Sequence, residues 1–321
     1  GHVQDKDGQK MSKHKGNVVN PWDALNKQGA DAVRWYFYAN SAPWLPSRYY
    51  DEAVSEVQRK FMGTLWNTYA FYILYAEIDQ FDPTKYTLDY EKLAPMDKWI
   101  LSKLQTLNKF VDESLEGYKL TEPARAMVDF LDDLSNWYVR RSRERFWAEG
   151  MEQDKINAYM TLYTVLETMV KLAAPFTPFI TEEIYTALPG ASETLMLEKW
   201  PEYEPQMNYA EEEAGFEKVM DLIKAVRTLR ADMGVHPAKR TSLIIETADK
   251  TPFEDGAAYL AKFAFANEVS FTEKYTGDTK GVAQVVTHAA RAFIPMMELI
   301  DREKEQARLA KEKALCEKEI A

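Results

Sequence analysis

Apolar residues return every three or four positions along most of this chain, the period of helices that bury one face. Phe61, Leu65, Tyr69, Tyr72 and Ile73 predict a helix within about 51–79, broken at Asp82-Pro83. Trp99, Leu101, Leu104, Leu107, Val111 and Leu115 predict the next, stopped at Gly117. Thr121, Glu122 and Pro123 open a third with the stripe Met127, Val128, Leu131, Leu134 and Tyr138, closed at Gly150. Tyr159, Leu162, Tyr163, Leu166, Met169 and Val170 mark a fourth over 154–173, and Pro175 and Pro178 lead into a shorter one over 179–188. Four or five amphipathic helices with short links describe a bundle. Ahead of it, Asn20 reads as the N-cap of a short helix with Pro21 in its first position and Gly29 at its end. A second helix is expected from Ala30 to Asn40, and Pro43 and Pro46 make 41–48 a loop.

Past residue 190 the pattern changes. A helix over about 208–233 leads into short apolar runs, Leu243-Ile244-Ile245, Val269-Ser270-Phe271, 282–286 and Ala292-Phe293-Ile294, which read as strands around a helix over 253–265. The tail, 298–320, has no Gly or Pro and mixes acids and bases. Ile300, Ala307 and Ala314 repeat at sevens, as do Leu309 and Cys316. That predicts the start of a coiled-coil-like helix, with a solvated charged helix as the plainer reading.

Composition narrows the function classes. A chain of 321 residues is long enough for two or three domains. Its single cysteine excludes an internal disulfide framework and a cysteine-based zinc site, and four scattered histidines have no metal-ligand spacing, so no metal site is expected. No run approaches the ~20 apolar residues of a membrane span, and no leader is evident, so the expected setting is cytoplasmic, without a membrane partner. A net charge of −11 argues against a protein that coats nucleic acid indiscriminately. It leaves room for a local basic face: residues 1–50 hold seven Lys or Arg against four Asp, a surplus of three. The chain opens without Met, inside what reads as a strand, and is expected to be a fragment.

Two stretches carry candidate chemistry. Lys10, Ser12, Lys13, His14 and Lys15, closed by Gly16, form a cationic loop after an Asp7-Gly8 turn signal. Such a loop suits an anionic ligand such as a polyphosphate, although charge runs are more often simply solvated. The second stretch is 136–147. On a straight helix Trp137, Arg141 and Arg145 fall at i, i+4 and i+8, with Arg140 and Arg143 in an adjacent row. Guanidinium groups bind phosphates and stack on bases, and tryptophan offers a stacking surface. The bland alternative is a core tryptophan with arginines tied into intrahelical pairs with Glu144, Asp132 and Asp133.

Lys10-Met11-Ser12-Lys13-His14 resembles the KMSKS signature of class I aminoacyl-tRNA synthetases, with His14 in place of the final Ser. The similarity runs on through Gly16-Asn17-Val18-Val19-Asn20-Pro21 and Gly29 to Trp35, and again through 136–147 and Pro175-Phe176-Thr177-Pro178-Phe179, in the manner of the isoleucyl enzymes. After about residue 184, Glu198-Lys199-Trp200-Pro201, 226–235 and 292–301 look more like the valyl enzymes. The resemblance implies a mainly α chain in four parts. These are a KMSKS loop and stem-contact segment (1–48), an anticodon-binding helix bundle (49–190), a connecting helix with a small α/β subdomain (191–297), and the terminal charged helix (298–321). It implies a share in an isoleucine–tRNA ligase reaction, with ATP and isoleucine as substrates, Mg²⁺ in the intact enzyme, tRNA of isoleucine or valine type as partner, and a monomeric state. Lys13 and Lys10 match the ATP-contacting catalytic lysines, with Ser12 and His14 also at the ATP; Trp137, Arg140, Arg141, Arg143 and Arg145 are the expected tRNA contacts. His14 removes a hydroxyl the family has there.

No His-x-Gly-His occurs in the chain and no parallel nucleotide-binding sheet is predicted, so the isolated chain is expected not to aminoacylate. The competing expectations are a valine–tRNA ligase fragment, a non-enzymatic RNA-binding helical module with an incidental lysine loop, and a structural appendage.

Overall fold

A computed structural model describes residues 2–278 and 280–295. The expected terminal helix, 298–321, lies outside the described residues. The chain divides into two compact units, Gly1–Tyr209 and Ala210–Ala321.

In the first unit the elements, in chain order, are β1 (Val3–Gln4), α1 (Pro21–Gln28), α2 (Ala30–Asn40), β2 (Ser47–Arg48), α3 (Asp51–Gln58), α4 (Thr64–Asp79), α5 (Pro95–Glu116), α6 (Thr121–Asp133), α7 (Arg140–Trp147), α8 (Gln153–Ala173) and α9 (Pro178–Ala187). The helical period and the caps account for most of these. The Asn20 side chain accepts from the Trp22 amide at 3.1 Å, Pro21 occupies the first turn, and the Gly29 amide closes α1 on the Leu25 carbonyl at 2.9 Å. Asn20→Ala is expected to lower the stability of this unit by about 1 kcal/mol. All eight tryptophans of the chain precede Tyr209, so denaturation followed by tryptophan fluorescence reads this unit alone.

Two helices expected to be continuous are not. A π-helical segment, Arg59–Gly63, joins α3 to α4, and another, Leu134–Val139, joins α6 to α7. A wider turn admits one extra residue and rotates whatever follows it, which an apolar period read over a short window does not register. Each segment carries a large buried ring. Phe61 stacks on Trp35 with centroids 3.6 Å apart, and Trp137 is buried. The core continues through Trp99, Tyr72, Tyr138, Tyr159, Phe146 and Phe176, all buried.

The Asp5–Gly8 turn forms as expected, with the Gly8 amide on the Asp5 carbonyl at 3.0 Å and an antiparallel bridge between Gln4 and Lys10. The partner strand of β1, however, is β2, in parallel register, Val3 opposite Ser47 and Gln4 opposite Arg48. This seats the lysine loop on a small apolar cluster, where Met11 and Val19 pack against Ala24, Ala32, Tyr36, Tyr49 and Val54. α2 is fastened to the bundle at both ends. Arg34 donates to the carbonyls of Phe176 and Pro175 at 3.0 and 2.8 Å, and Arg125 on α6 donates to those of Ala39 and Asn40 at 2.9 and 2.6 Å. Buried Asp31 accepts from the Ile180 amide in the first turn of α9 at 2.7 Å. Burial pushes its carboxyl above the usual range, opposed by the backbone amides of Ile180 and Phe179 and by Arg34.

The second unit contains α10 (Ala210–Asp232), β3 (Thr241–Glu246), α11 (Thr251–Asp255), α12 (Ala257–Phe263), β4 (Ala266–Thr272), β5 (Val282–Val286) and β6 (Arg291–Pro295). The sheet order is β4-β3-β6-β5; β3 and β4 are parallel, and the other two pairs antiparallel. Alternation along β3 sends Thr241, Leu243 and Ile245 inward. The single helix expected over 253–265 is divided at Gly256. A Cβ there would come within 2.7 Å of the Val219 side chain on α10, so the close packing of the two helices requires glycine.

Candidate functional site

The lysine loop is held from within. Residues Lys13–Lys15 form one 3₁₀ turn. The Ser12 hydroxyl accepts from the Lys15 amide at 3.3 Å, and Gly16, at φ 65, ends the turn in the left-handed conformation that glycine takes at least cost. Asn17 closes the neck. Its Oδ1 accepts from the Ser12 amide at 2.9 Å, while its Nδ2 donates to Asp5 Oδ2 at 2.7 Å and to the Lys10 carbonyl at 3.3 Å. Asp5 Oδ1 in turn accepts from the Gln9 and Asp7 amides at 2.8 and 3.1 Å. The Asn17 amide first, and then these backbone donors, hold the Asp5 carboxyl below its usual range. Lys10, Lys13 and His14 stand exposed, and Lys15 donates to Gln9 at 3.2 Å. A short hydrogen-bonded turn thus presents cationic groups to solvent while its backbone is satisfied locally. The sequence assigns no role to Asp5 or Asn17; the adjacency of Gly16 and Asn17 was the available signal, but it names no partner twelve residues upstream.

The arginine-rich helix divides its residues between two faces. Trp137 is buried with the Arg141 guanidinium 3.9 Å from its ring centre. Arg145 turns inward. It meets both carboxylate oxygens of the fully buried Asp97 at 2.7 Å each, and those of Asp154 at 2.9 and 2.8 Å. Asp97 also accepts from the Tyr138 hydroxyl at 2.7 Å and the Ala94 amide at 3.1 Å. Burial alone would pull the Arg145 guanidinium down; the charge and bonds of Asp97 outweigh it and hold it above its ordinary value. Arg140, Arg143 and Trp147 remain exposed. The stripe Trp137–Arg141–Arg145 is therefore the inner side of the helix, and the adjacent row faces solvent. Two of the acids weighed as partners of the arginines meet other residues. Asp133 pairs with Lys103 at 2.8 Å, and Asp132 accepts from Asn136 at 2.7 Å. Sequence reading missed Asp97 and Asp154, because i, i+4 spacing describes one helix and these partners come from α5 and α8.

Among the described residues no group of three or more His, Cys, Asp or Glu side chains is placed to hold a metal ion, and no helix is long and apolar enough to cross a membrane.

Two families match the chain in the two places just described. Residues 1–44 match "tRNA synthetases class I (I, L, M and V)", and residues 97–245 match "Anticodon-binding domain of tRNA ligase". A leucyl-tRNA synthetase (LeuRS) of Agrobacterium radiobacter K84, solved in a ternary complex with tRNA, shares the fold at a TM-score of 0.53 and 23% identity, covering 66% of this chain and 24% of that one. The chain belongs to the class I tRNA synthetases. Among curated proteins it is similar to the isoleucine–tRNA ligases of Clostridium acetobutylicum and Clostridium novyi, at 53% and 54% identity over 72% of the chain, and to that of Bacteroides fragilis at 38% over 86%. The chain spans about a quarter of the length of these relatives, 23%, 22% and 25% respectively. A match over 86% of 321 residues cannot end near residue 184, so similarity to an isoleucine–tRNA ligase continues into the part whose motifs resemble the valyl enzymes.

Proposed function

We propose that this chain supplies the ATP-side loop and the anticodon-binding body of an isoleucine–tRNA ligase. The observation that supports it most is 53% identity to an isoleucine–tRNA ligase, in a chain whose signature lysines stand exposed on a braced turn. In the reaction the isoleucine carboxylate attacks the α-phosphorus of ATP and pyrophosphate leaves; a hydroxyl of the terminal tRNA ribose then attacks the isoleucyl-adenylate carbonyl, and AMP leaves. In-line displacement asks for positioning and charge neutralisation more than for a covalent catalyst. Lys13 and Lys10 are assigned to the β- and γ-phosphates, where they meet charge as it develops. Ser12 acts mainly on the loop, through its cap on the Lys15 amide, and His14 faces solvent as a further donor for the nucleotide. Mg²⁺ would travel with the nucleotide on its phosphates. The described residues hold no group of three or more His, Cys, Asp or Glu side chains that would bind it.

For the tRNA we assign Arg140 and Arg143 as the phosphate-facing pair, with Trp147 as an exposed ring beside them. Trp137, Arg141 and Arg145 support that face from behind. We place the working protein in the cytoplasm, as a monomer.

Binding of isoleucine- and valine-specific tRNA at two or more salt concentrations tests this reading. Preference for the isoleucine tRNA supports it. Preference for the valine tRNA would move the specificity, and a salt-steep but unselective signal would reduce the chain to a general RNA module. Replacing both Arg140 and Arg143 with alanine is expected to lower the slope of log K against log salt by about 2, at roughly 1 per lost phosphate contact. An unchanged slope removes those two residues from the interface.

A further inference from the structure

The neck of the lysine loop is closed by one side chain. The Asn17 amide reaches three separate points: the Ser12 amide at 2.9 Å, the Lys10 carbonyl at 3.3 Å and Asp5 Oδ2 at 2.7 Å. Ser12 and Lys10 flank the turn that carries Lys13 and His14, and Asp5 belongs to the turn before it. Asp5 spends its other oxygen on the Gln9 and Asp7 amides, so one amide–carboxylate contact joins the two turns. Met11 and Val19, on the two sides of the loop, pack against the Tyr36–Tyr49 cluster and anchor its base. Backbone contacts hold the base of the loop, the Gln4–Lys10 bridge and the Asp5 amide on the Gln9 carbonyl at 2.9 Å, whereas the bonds within it, Lys15 to Ser12 and Gly16 to Lys13, are local.

We infer that Asn17 is a positioning residue: with Asp5 it forms a latch that fixes where Lys10 and Lys13 point. The inference rests on the ATP role proposed for those lysines and adds to it a residue that touches no substrate. Asparagine suits the task because it offers an acceptor to Ser12 and donors to Asp5 and Lys10 at once. Aspartate has nearly the same shape but only acceptors, and in its place two carboxylates would face each other at hydrogen-bond distance. The contact is only partly buried, so its contribution is expected in the geometry of the loop more than in the stability of the unit.

The test uses Asn17→Ala, Asn17→Asp and the exchanged pair Asn17→Asp with Asp5→Asn, in which Asn at position 5 can again donate to Asp at position 17. Two quantities are read: hydrogen exchange of the Ser12 amide in this chain, and ATP–pyrophosphate exchange in the intact ligase to which the segment is proposed to belong. Asn17→Ala is expected to speed Ser12 exchange. Both single variants should slow the ATP reaction by about ten- to a hundredfold, the scale of a misplaced catalytic group, with unchanged tryptophan-detected unfolding. The exchanged pair should recover to within about threefold of the parent. If Asn17→Asp runs at the parental rate, or if the exchanged pair is no better than the single variants, the latch is refuted. Lys13→Ala, run alongside, separates the layers. If it slows the reaction and Asn17→Asp does not, only the latch fails; if Lys13→Ala itself has no effect, the ATP role falls and the latch falls with it.

Discussion

Lys13→Ala in the intact ligase is expected to lower the rate of ATP–pyrophosphate exchange by about 10²- to 10³-fold, or ~3–4 kcal/mol of barrier at ~1.4 kcal/mol per tenfold. The size follows from where the charge stands. Lys13 opens a three-residue turn capped by the Ser12 hydroxyl and ended by Gly16. Its ammonium is exposed, so no folding role competes with a role at a ligand, and the truncation leaves the unit intact. Charge that develops on a leaving pyrophosphate in a closed site is worth far more to a lysine than the same contact in water. The loss should therefore fall on the maximal rate more than on the apparent affinity for ATP. Lys13→Arg keeps the charge but changes its shape, and should recover part of the rate. A Lys13→Ala enzyme that exchanges pyrophosphate at the parental rate would remove the loop from the reaction.

How far the sequence reaches depends on the range over which each signal acts. α1 begins and ends, and α2 begins, where Asn20, Pro21 and Gly29 say they should, because caps are decided within three or four residues. β5 coincides with the run 282–286, and it pairs with the nearby β6. The π-helical segments at Arg59–Gly63 and Leu134–Val139 were not legible. Each is settled by seating Phe61 against Trp35 and by burying Trp137 against its neighbours, contacts made across the fold. The division at Gly256 depends likewise on Val219, thirty-seven residues away. The candidate sites show the same boundary. Lys10 to His14 were visible as a cationic turn, and the arginines as two helical rows. Which row faces outward was not visible, since a row of Trp, Arg and Arg has the same spacing whether its guanidinium groups meet phosphates or buried carboxylates. Asp97, fully buried and 48 residues from Arg145, decides it.

That assignment has a consequence for stability. Arg145→Ala is expected to destabilise the first unit by about 3–5 kcal/mol, the cost of leaving one member of a buried ion pair without the other. Asp97 is inaccessible and, among the described residues, would keep the Tyr138 hydroxyl and the Ala94 amide as donors. Asp154→Ala should cost less than about 1 kcal/mol, because that carboxylate is 60% exposed and water replaces what it loses. The pair of changes Arg145→Met with Asp97→Asn should recover much of the loss. Methionine refills the stem volume, and the neutral amide no longer holds a buried charge while still accepting from Tyr138. Denaturation followed by tryptophan fluorescence measures all three. The same variants decide between structure and recognition. Because the Arg145 charge is spent on Asp97 and Asp154, Arg145→Met with Asp97→Asn should bind tRNA with the parental salt slope, whereas Arg140→Ala with Arg143→Ala should not. If instead the Arg145 variant folds with parental stability and loses a phosphate's worth of slope, its guanidinium swings outward to meet the RNA, and the inner row of the helix, not the outer, is the one that binds.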